Sequence, residues 1–173
     1  MRKSHETYIY CLDEYRVFSE DIRKRFSDTA RYDVSVFNNA DDIIKAFSEQ
    51  KPGSVCRILI IGVHDSKESY NSCEILIDRI KKTDPKTSIL VIVTNPEKTE
   101  DARRELRFNI DSFIPRNSSM VLRVHNAVKK HISEHNLAIY RQRRNVSLIV
   151  LACGIMLSLI LLIIARIKFP LYF

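Results

Sequence analysis

Hydrophobic residues in the first 132 positions follow two alternating spacings. Short continuous or alternating apolar runs are typical of strands; they occur at Tyr8–Leu12, Tyr32–Phe37, Val55–Ile61, Ile89–Val93 and Ser112–Ile114. Spacings of three and four predict helices between them; these cover Tyr15–Phe26, Ala40–Glu49, Cys73–Lys82 and Thr99–Phe108. The polar stretch His64–Ser72 is predicted to be a loop. The alternation of strands and helices predicts an α/β fold, a five-stranded parallel, doubly wound sheet with helices on both faces.

A different pattern begins near the C-terminal end. Val146–Ala165 contains twenty residues without a charge. At about 1.5 Å of rise per residue, a helix of this length crosses the ~30 Å hydrocarbon core of a bilayer. Core helices of soluble domains are seldom apolar on every face over such a length. One transmembrane helix is therefore predicted, with a buried core helix or hairpin as the alternative.

The flanks of this segment predict its orientation. Arg141, Arg143 and Arg144 precede it, whereas Arg166 and Lys168 follow it. Cationic residues favour the cytoplasmic side, so the N-terminal domain is expected in the cytoplasm. The start of the chain carries no apolar run, which predicts no signal peptide. The predicted organisation is an α/β domain at 1–132, a basic juxtamembrane helix or linker at 133–145, a span at 146–165 and a short tail at 166–173.

Charge is unevenly distributed along the chain. Residues 1–122 contain 20 Lys and Arg and 20 Asp and Glu, whereas residues 123–145 contain six basic residues and one acid. A juxtamembrane basic excess fits contact of Arg141, Arg143 and Arg144 with anionic lipid better than nucleic-acid binding. The four cysteines show no CxxC spacing, which predicts reduced thiols rather than a metal site or a disulfide framework.

The last helix of the domain is predicted to begin at a Ser118 or Ser119 cap and to run towards the span. Apolar residues continue at helical spacing through Ser119–Asn145 without Gly or Pro. The part after residue 132 could be a stalk, could pair with a second copy as a short coiled coil, or could be a polar linker. Gly154 and Ser158 add a small-xxx-small pattern, so a homodimer is left open.

Several polar residues follow the predicted strands directly. In open α/β sheets the working crevice lies at the carboxyl ends of the strands. The residues at those ends are Asp13, Glu14, Gly62 to Asp65, Thr94 and Arg116.

Three segments resemble a response-regulator receiver domain of the CheY-like, flavodoxin-like type. They are YIYCLDE in the first strand, ILVIVT in the fourth, and Asn109–Arg116, which is similar to the family's "GADDFLxKP" region. The resemblance covers residues 6–132. It implies a Mg²⁺ ion on Asp13 and Glu14, a phosphoryl contact from Thr94, and Arg116 at the position of the family's lysine.

The phosphoacceptor position has two alternatives under this resemblance. Counting along the third strand places Gly62 there, which has no nucleophile. Counting back from the third helix places Asp65 there. Structural roles are the other interpretation: Asp13 and Glu14 could start a helix, Thr94 could simply end a strand, and Asp65 could be a loop acid or a helix cap. Arg116 could form an ion pair with Asp111 or Glu14.

The sequence thus predicts a membrane-anchored signalling module of the bacterial two-component, phosphorelay type. It would bind a histidine kinase or another signalling protein, without an output domain, at the inner membrane. The alternative is a non-phosphorylatable pseudo-receiver that serves as a scaffold for a membrane complex. An enzyme is not predicted, because the chain carries no Ser/His/Asp set, phosphate loop or metal-ligand cluster.

Overall fold

The computed structural model describes residues 7–14, 16, 18–27, 31–49, 55–106 and 110–168. The strands are β1 (Thr7–Leu12), β2 (Tyr32–Phe37), β3 (Cys56–Val63), β4 (Ser88–Val93) and β5 (Ser112–Pro115). The α-helices are α1 (Ser19–Ser27), α2 (Ala40–Glu49), α3 (Lys67–Thr83), α4 (Thr99–Glu105) and α5 (Met120–Lys168). A short 3₁₀ helix, Pro96–Lys98, precedes α4.

The strands form one sheet in the order β2-β1-β3-β4-β5, and every pair is parallel. This confirms the predicted five-stranded parallel sheet. Strand β3 lies at its centre, and seven of its eight residues are buried. Near-continuous burial explains why its sequence is almost wholly apolar rather than alternating.

Helices cover both faces of the sheet, and each face has its own hydrophobic core. On one face, α2, α3 and α4 pack over Leu59, Ile61 and their neighbours. On the other, α1 and the first turns of α5 pack over Ile58 and Ile60. Because side chains alternate along a strand, adjacent residues of β3 contribute to opposite cores.

The predicted end of β3 and the predicted start of α3 are both wrong. Helix α3 begins at Lys67, six residues before the predicted Cys73, because the Ser66 hydroxyl caps it by accepting the Ser69 N–H at 3.1 Å. Strand β3 continues to Val63, beyond the predicted Ile61. The predicted loop at His64–Ser72 is therefore mostly helix, which the polar first turns of α3 concealed.

Two further boundaries differ at helix ends. Helix α1 begins at Ser19, while Tyr15 and Val17 of the predicted helix lie outside the described residues. Helix α4 ends at Glu105, and Phe108 likewise lies outside the description. Helix ends depend on local capping, which periodicity does not encode.

Contacts within the chain define two units, residues 1–132 and 133–173. In the first unit, Met120, Val124 and Val128 of α5 are buried against the sheet. The second unit contains the rest of α5. Within the described part of the chain, α5 alone is long and apolar enough to cross a membrane; its most apolar 18-residue window has a mean hydropathy of 2.1 and no buried residue.

Candidate functional site

The polar residues predicted to share one edge of the sheet do so. The backbone N–H of Thr94 donates to the carbonyl of Val63 at 3.1 Å, and that of Arg116 donates to the carbonyl of Val93 at 2.9 Å. Asp13 follows β1 and is held in the same way to the carbonyl of Phe37. The parallel ladder therefore continues one residue past the strands, and it brings the ends of β1, β3, β4 and β5 together.

Asp13 is buried, with 3% of its surface exposed. Its Oδ2 accepts the backbone N–H groups of Phe18 and Ser19, both at 2.9 Å. These N–H groups open α1 and would otherwise lack partners in the helix. The contacts support the alternative in which Asp13 starts a helix, where a carboxylate also suits the positive end of the helix dipole.

Gly62 lies in β3 beside the α1 face of the sheet. A Cβ atom placed on it would lie 2.5 Å from Cε1 of Phe18, which is closer than van der Waals contact allows. The Phe18 ring therefore occupies the space into which a side chain at Gly62 would project. Phe18 also donates its backbone N–H to Asp13 Oδ2. One residue therefore fills the space at Gly62 and fixes the orientation of the Asp13 side chain.

Thr94 contacts the end of β3 rather than Gly62. Its hydroxyl donates to the carbonyl of Val63 at 2.9 Å and lies 3.5 Å from Nδ1 of His64. The His64 N–H donates to Oγ of Ser69 at 3.1 Å. His64, which the sequence indicated only as a loop residue, is thus the side chain that the structure places beside Thr94.

Asp65 lies two residues beyond β3 and is exposed. Its Oδ2 is 2.6 Å from Nζ of Lys98, in the 3₁₀ helix after β4. This hydrogen bond, together with the charge of Asp65, raises the pKa of Lys98. Lys98 was not among the predicted site residues, although its position shortly after β4 places it at the carboxyl edge.

Arg116 is exposed at the end of β5. Of the two alternatives for an ion pair of Arg116, the one with Asp111 is wrong. Asp111 precedes β5 and its Oδ2 accepts the N–H of Ile89 at 2.7 Å, at the opposite edge of the sheet. At about 3.3 Å per residue, the four residues of β5 separate the two side chains too far for an ion pair.

Glu14 is exposed and lines a pocket of about 260 Å³ on the other face, between the starts of α2 and α3. The remaining polar lining consists of His64, Ser66, Glu68, Ser69 and Ser72. Asp13 and Glu14 are adjacent in sequence, yet Asp13 caps α1 and Glu14 faces this pocket. Among the described residues, no group of three or more His, Cys, Asp or Glu is arranged to hold a metal ion.

No family model and no curated protein matches this sequence. Solved structures do resemble it. A signal receiver domain of an HD domain-containing protein from Pseudomonas fluorescens Pf-5 is 12% identical, with a TM-score of 0.59 over 76% of this chain and 98% of its own. A response regulator receiver domain protein from Clostridium thermocellum is 14% identical, with a TM-score of 0.58 over 76% and 98%.

A third structure, response regulator protein TrrA from Thermotoga maritima in complex with Mg²⁺ and BeF, is 14% identical, with a TM-score of 0.53 over 72% of this chain and 98% of its own. The fold is that of a receiver domain. Identities this low establish the fold alone. The resemblance inferred from the three sequence segments is therefore confirmed for the fold, while the chemistry of a receiver domain depends on this chain's own residues.

Proposed function

We propose that this chain is a membrane-anchored, receiver-like signalling module that binds a partner protein and does not use Gly62 as a phosphoacceptor. The observation that carries the proposal is the receiver fold in which the Phe18 ring fills the side-chain space at Gly62. The fold suggests two-component signalling. The covered glycine favours the pseudo-receiver alternative over a phosphorylated switch.

The chemistry at this edge supports that choice. Glycine has no oxygen to attack a phosphorus atom. The Asp13 oxygen that accepts the two N–H groups of α1 already has charge-compensating donors. A Mg²⁺ ion prefers several oxygen ligands in octahedral geometry. Asp13 caps α1 and Glu14 faces the pocket on the other face, so the two acids do not fit a shared Mg²⁺ site.

Membrane anchoring is the second part of the proposal. The uncharged segment Val146–Ala165 lies within α5, and the most apolar window of that helix has no buried residue. Arg141, Arg143 and Arg144 precede it, which favours a cytoplasmic domain under a single-pass anchor in the bacterial inner membrane. The partner would be a histidine kinase or another signalling protein, and the module would act by binding rather than as an enzyme.

The deciding experiment treats the full chain, in detergent micelles, with Mg²⁺ and acetyl phosphate, and then measures the intact mass. We expect no added phosphoryl group, while a receiver domain with an intact acceptor aspartate, treated in parallel, gains one. A phosphoryl adduct that maps to this edge would overturn the pseudo-receiver proposal.

The second candidate is phosphorylation on Asp65. Its exposed carboxylate would attack phosphorus with release of acetate, and the ammonium of Lys98, 2.6 Å away, would pair with the transferred phosphoryl group. An adduct that disappears in Asp65→Asn and weakens in Lys98→Met would establish this candidate. Asp78→Asn, an exposed aspartate on α3 away from the edge, is the matched control.

Anchoring is tested separately by expressing the full chain in a bacterium and washing the membranes with alkaline carbonate. We expect the protein to stay in the pellet, because a spanning helix is not removed by breaking electrostatic contacts. A variant that ends at residue 145 should be released. Release of the full chain by carbonate would contradict the spanning helix and leave surface attachment by the basic segment.

A further inference from the structure

The pocket between α2 and α3 has an apolar floor beneath a polar rim. Leu12, Ile61, Cys73 and Leu76 form the buried floor. Burial raises the pKa of the Cys73 thiol to about 12, so this thiol is neutral at physiological pH and behaves as part of the apolar surface. Such a floor suits the methylene groups of a ligand whose polar end remains at the rim.

The rim carries net negative charge. Glu14 and Glu68 are exposed carboxylates, and none of the described lining residues is Lys or Arg. The N-termini of α2 and α3 each contribute about half a positive charge. Asp41 and Asp42 occupy the first turn of α2, and Glu68 itself occupies that of α3. Lys67 precedes Glu68 but does not line the pocket, and the two carboxylates that do, Glu14 and Glu68, outweigh the two dipole ends, so the pocket favours a cation.

The hydrogen-bonding groups point to the same ligand chemistry. Carboxylates only accept hydrogen bonds, and each serine oxygen can accept them. A guanidinium carries five N–H donors and no acceptor, and an ammonium carries three donors. Ser66, Ser69 and Ser72 line the same opening as the carboxylates, and the hydroxyl oxygens of Ser66 and Ser69 each accept one backbone N–H and keep a second lone pair. The pocket, about 260 Å³, is slightly smaller than the ~300 Å³ at which small-molecule sites begin, a size that fits one arginine-sized group.

We propose that this pocket binds a guanidinium or ammonium group carried on a short aliphatic chain. The group could belong to a free small molecule or to an arginine or lysine side chain of a partner protein. Glu14 and Gly62 line the pocket, so the inference concerns the same edge of the sheet as the proposed function, but it does not require any particular residue to accept a phosphoryl group.

The first test titrates n-butylguanidinium into the full chain by calorimetry. The protein is kept in zwitterionic micelles, so that no anionic lipid competes for the cation. The neutral isostere n-butylurea is titrated in parallel. We expect saturable binding of the cation and at least tenfold weaker binding of the urea. Equal binding of both, or no saturable binding of the cation, would overturn the proposal.

The second test uses charge-removing variants. Glu14→Gln and Glu68→Gln should each weaken binding of n-butylguanidinium about threefold, and the double variant about tenfold, as expected for exposed ion pairs. Glu49→Gln removes an exposed carboxylate at the far end of α2 and should leave binding unchanged. Equal loss in Glu49→Gln would mean that the cation responds to overall charge, and the pocket proposal would fail.

A third titration distinguishes the two sources. A capped Gly-Arg-Gly peptide presents the same guanidinium with a backbone attached. Binding at least as tight as that of n-butylguanidinium would support a partner's side chain as the ligand. Binding of the small molecule with exclusion of the peptide would support a free amine or guanidine. Under both interpretations, the double variant Glu14→Gln/Glu68→Gln must lose binding of the ligand concerned.

Discussion

A pair of an aspartate and a cation lies at each edge of the sheet, and the two pairs differ in burial. At the amino edge, Arg57 Nη1 and Asp84 Oδ2 are 3.4 Å apart, and their side chains are 2% and 4% exposed. At the carboxyl edge, Lys98 and Asp65 approach to 2.6 Å, but their side chains are 46% and 38% exposed. The shorter pair is expected to matter less for stability, because water screens it and can replace either partner.

The comparison separates charges that serve the fold from charges that are available for function. Arg57 also lies over the ring of Phe47, 5.6 Å from its centroid, so the buried pair is part of the packed core. Asp65 and Lys98 link the segment after β3 to the 3₁₀ helix after β4. Both lie at the carboxyl edge, where open α/β sheets have their working crevice. Burial, rather than the presence of an ion pair, decides which edge can respond to a ligand.

The largest expected effect is at the amino edge. Asp84→Asn removes the carboxylate charge that lies 3.4 Å from the buried Arg57 and should lower the free energy of unfolding by about 3–5 kcal/mol. Urea unfolding of the full chain in micelles, followed by near-ultraviolet tyrosine dichroism, measures it. Asp78→Asn, which breaks an exposed pair on the same helix, should cost under 1 kcal/mol. Similar losses in both variants would remove the distinction between the edges.

A substitution at Gly62 tests whether the carboxyl edge, like the amino edge, contains tightly packed side chains. Gly62→Ala should cost about 1–3 kcal/mol, because the new methyl group meets the Phe18 ring. In a Phe18→Leu background the additional cost of Gly62→Ala should fall below 1 kcal/mol, and a double-mutant cycle measures the coupling. Additive effects would show that Phe18 does not fill the space at Gly62.

Tyr70 of α3 tests an uncharged polar group that is buried in the core, in contrast to the charged pairs at the two edges. Its hydroxyl is buried and has no hydrogen-bond partner among the described residues. Tyr70→Phe should therefore be neutral or should raise the free energy of unfolding by up to about 1 kcal/mol, since it removes an unsatisfied polar group. A loss of more than 1 kcal/mol, in the same unfolding assay, would mean that the hydroxyl makes a stabilising contact.

The smallest effect is expected for the exposed pair. Asp65→Asn and Lys98→Met should each change the free energy of unfolding by less than about 1 kcal/mol, and added salt should reduce the change further. Unfolding at two ionic strengths measures this. A salt-independent loss as large as that of Asp84→Asn would contradict the conclusion that water screens the Asp65–Lys98 pair.

Much of the fold followed from periodicity. Five apolar runs of strand length became the five strands, and the buried β3 and β4 were the clearest because they alternate least. The start of α3 was missed because its first turn, Lys67 to Tyr70, has one apolar residue and depends on the Ser66 cap. A cap is a local hydrogen bond, and hydrophobic spacing carries little information about it.

The candidate site was predictable in place but not in detail. Asp13, Thr94 and Arg116 were expected at one edge, because parallel strands bring their carboxyl ends together, and the ladder contacts place them there. The contacts of Phe18 with Gly62 and of Lys98 with Asp65 were not predicted. Both join residues more than thirty positions apart, and their partners have no shared spacing in the sequence.

Periodicity was enough to predict the class of sheet and the apolar C-terminal segment, because both depend on how apolar residues repeat along the chain. Three features became visible only in the folded chain: Asp13 accepts hydrogen bonds from α1, the Phe18 ring fills the space at Gly62, and Glu14 and Glu68 line one pocket. The physical reason is that side-chain direction and close packing depend on how distant elements meet in space. An ionisable residue can serve the fold or a ligand according to that arrangement.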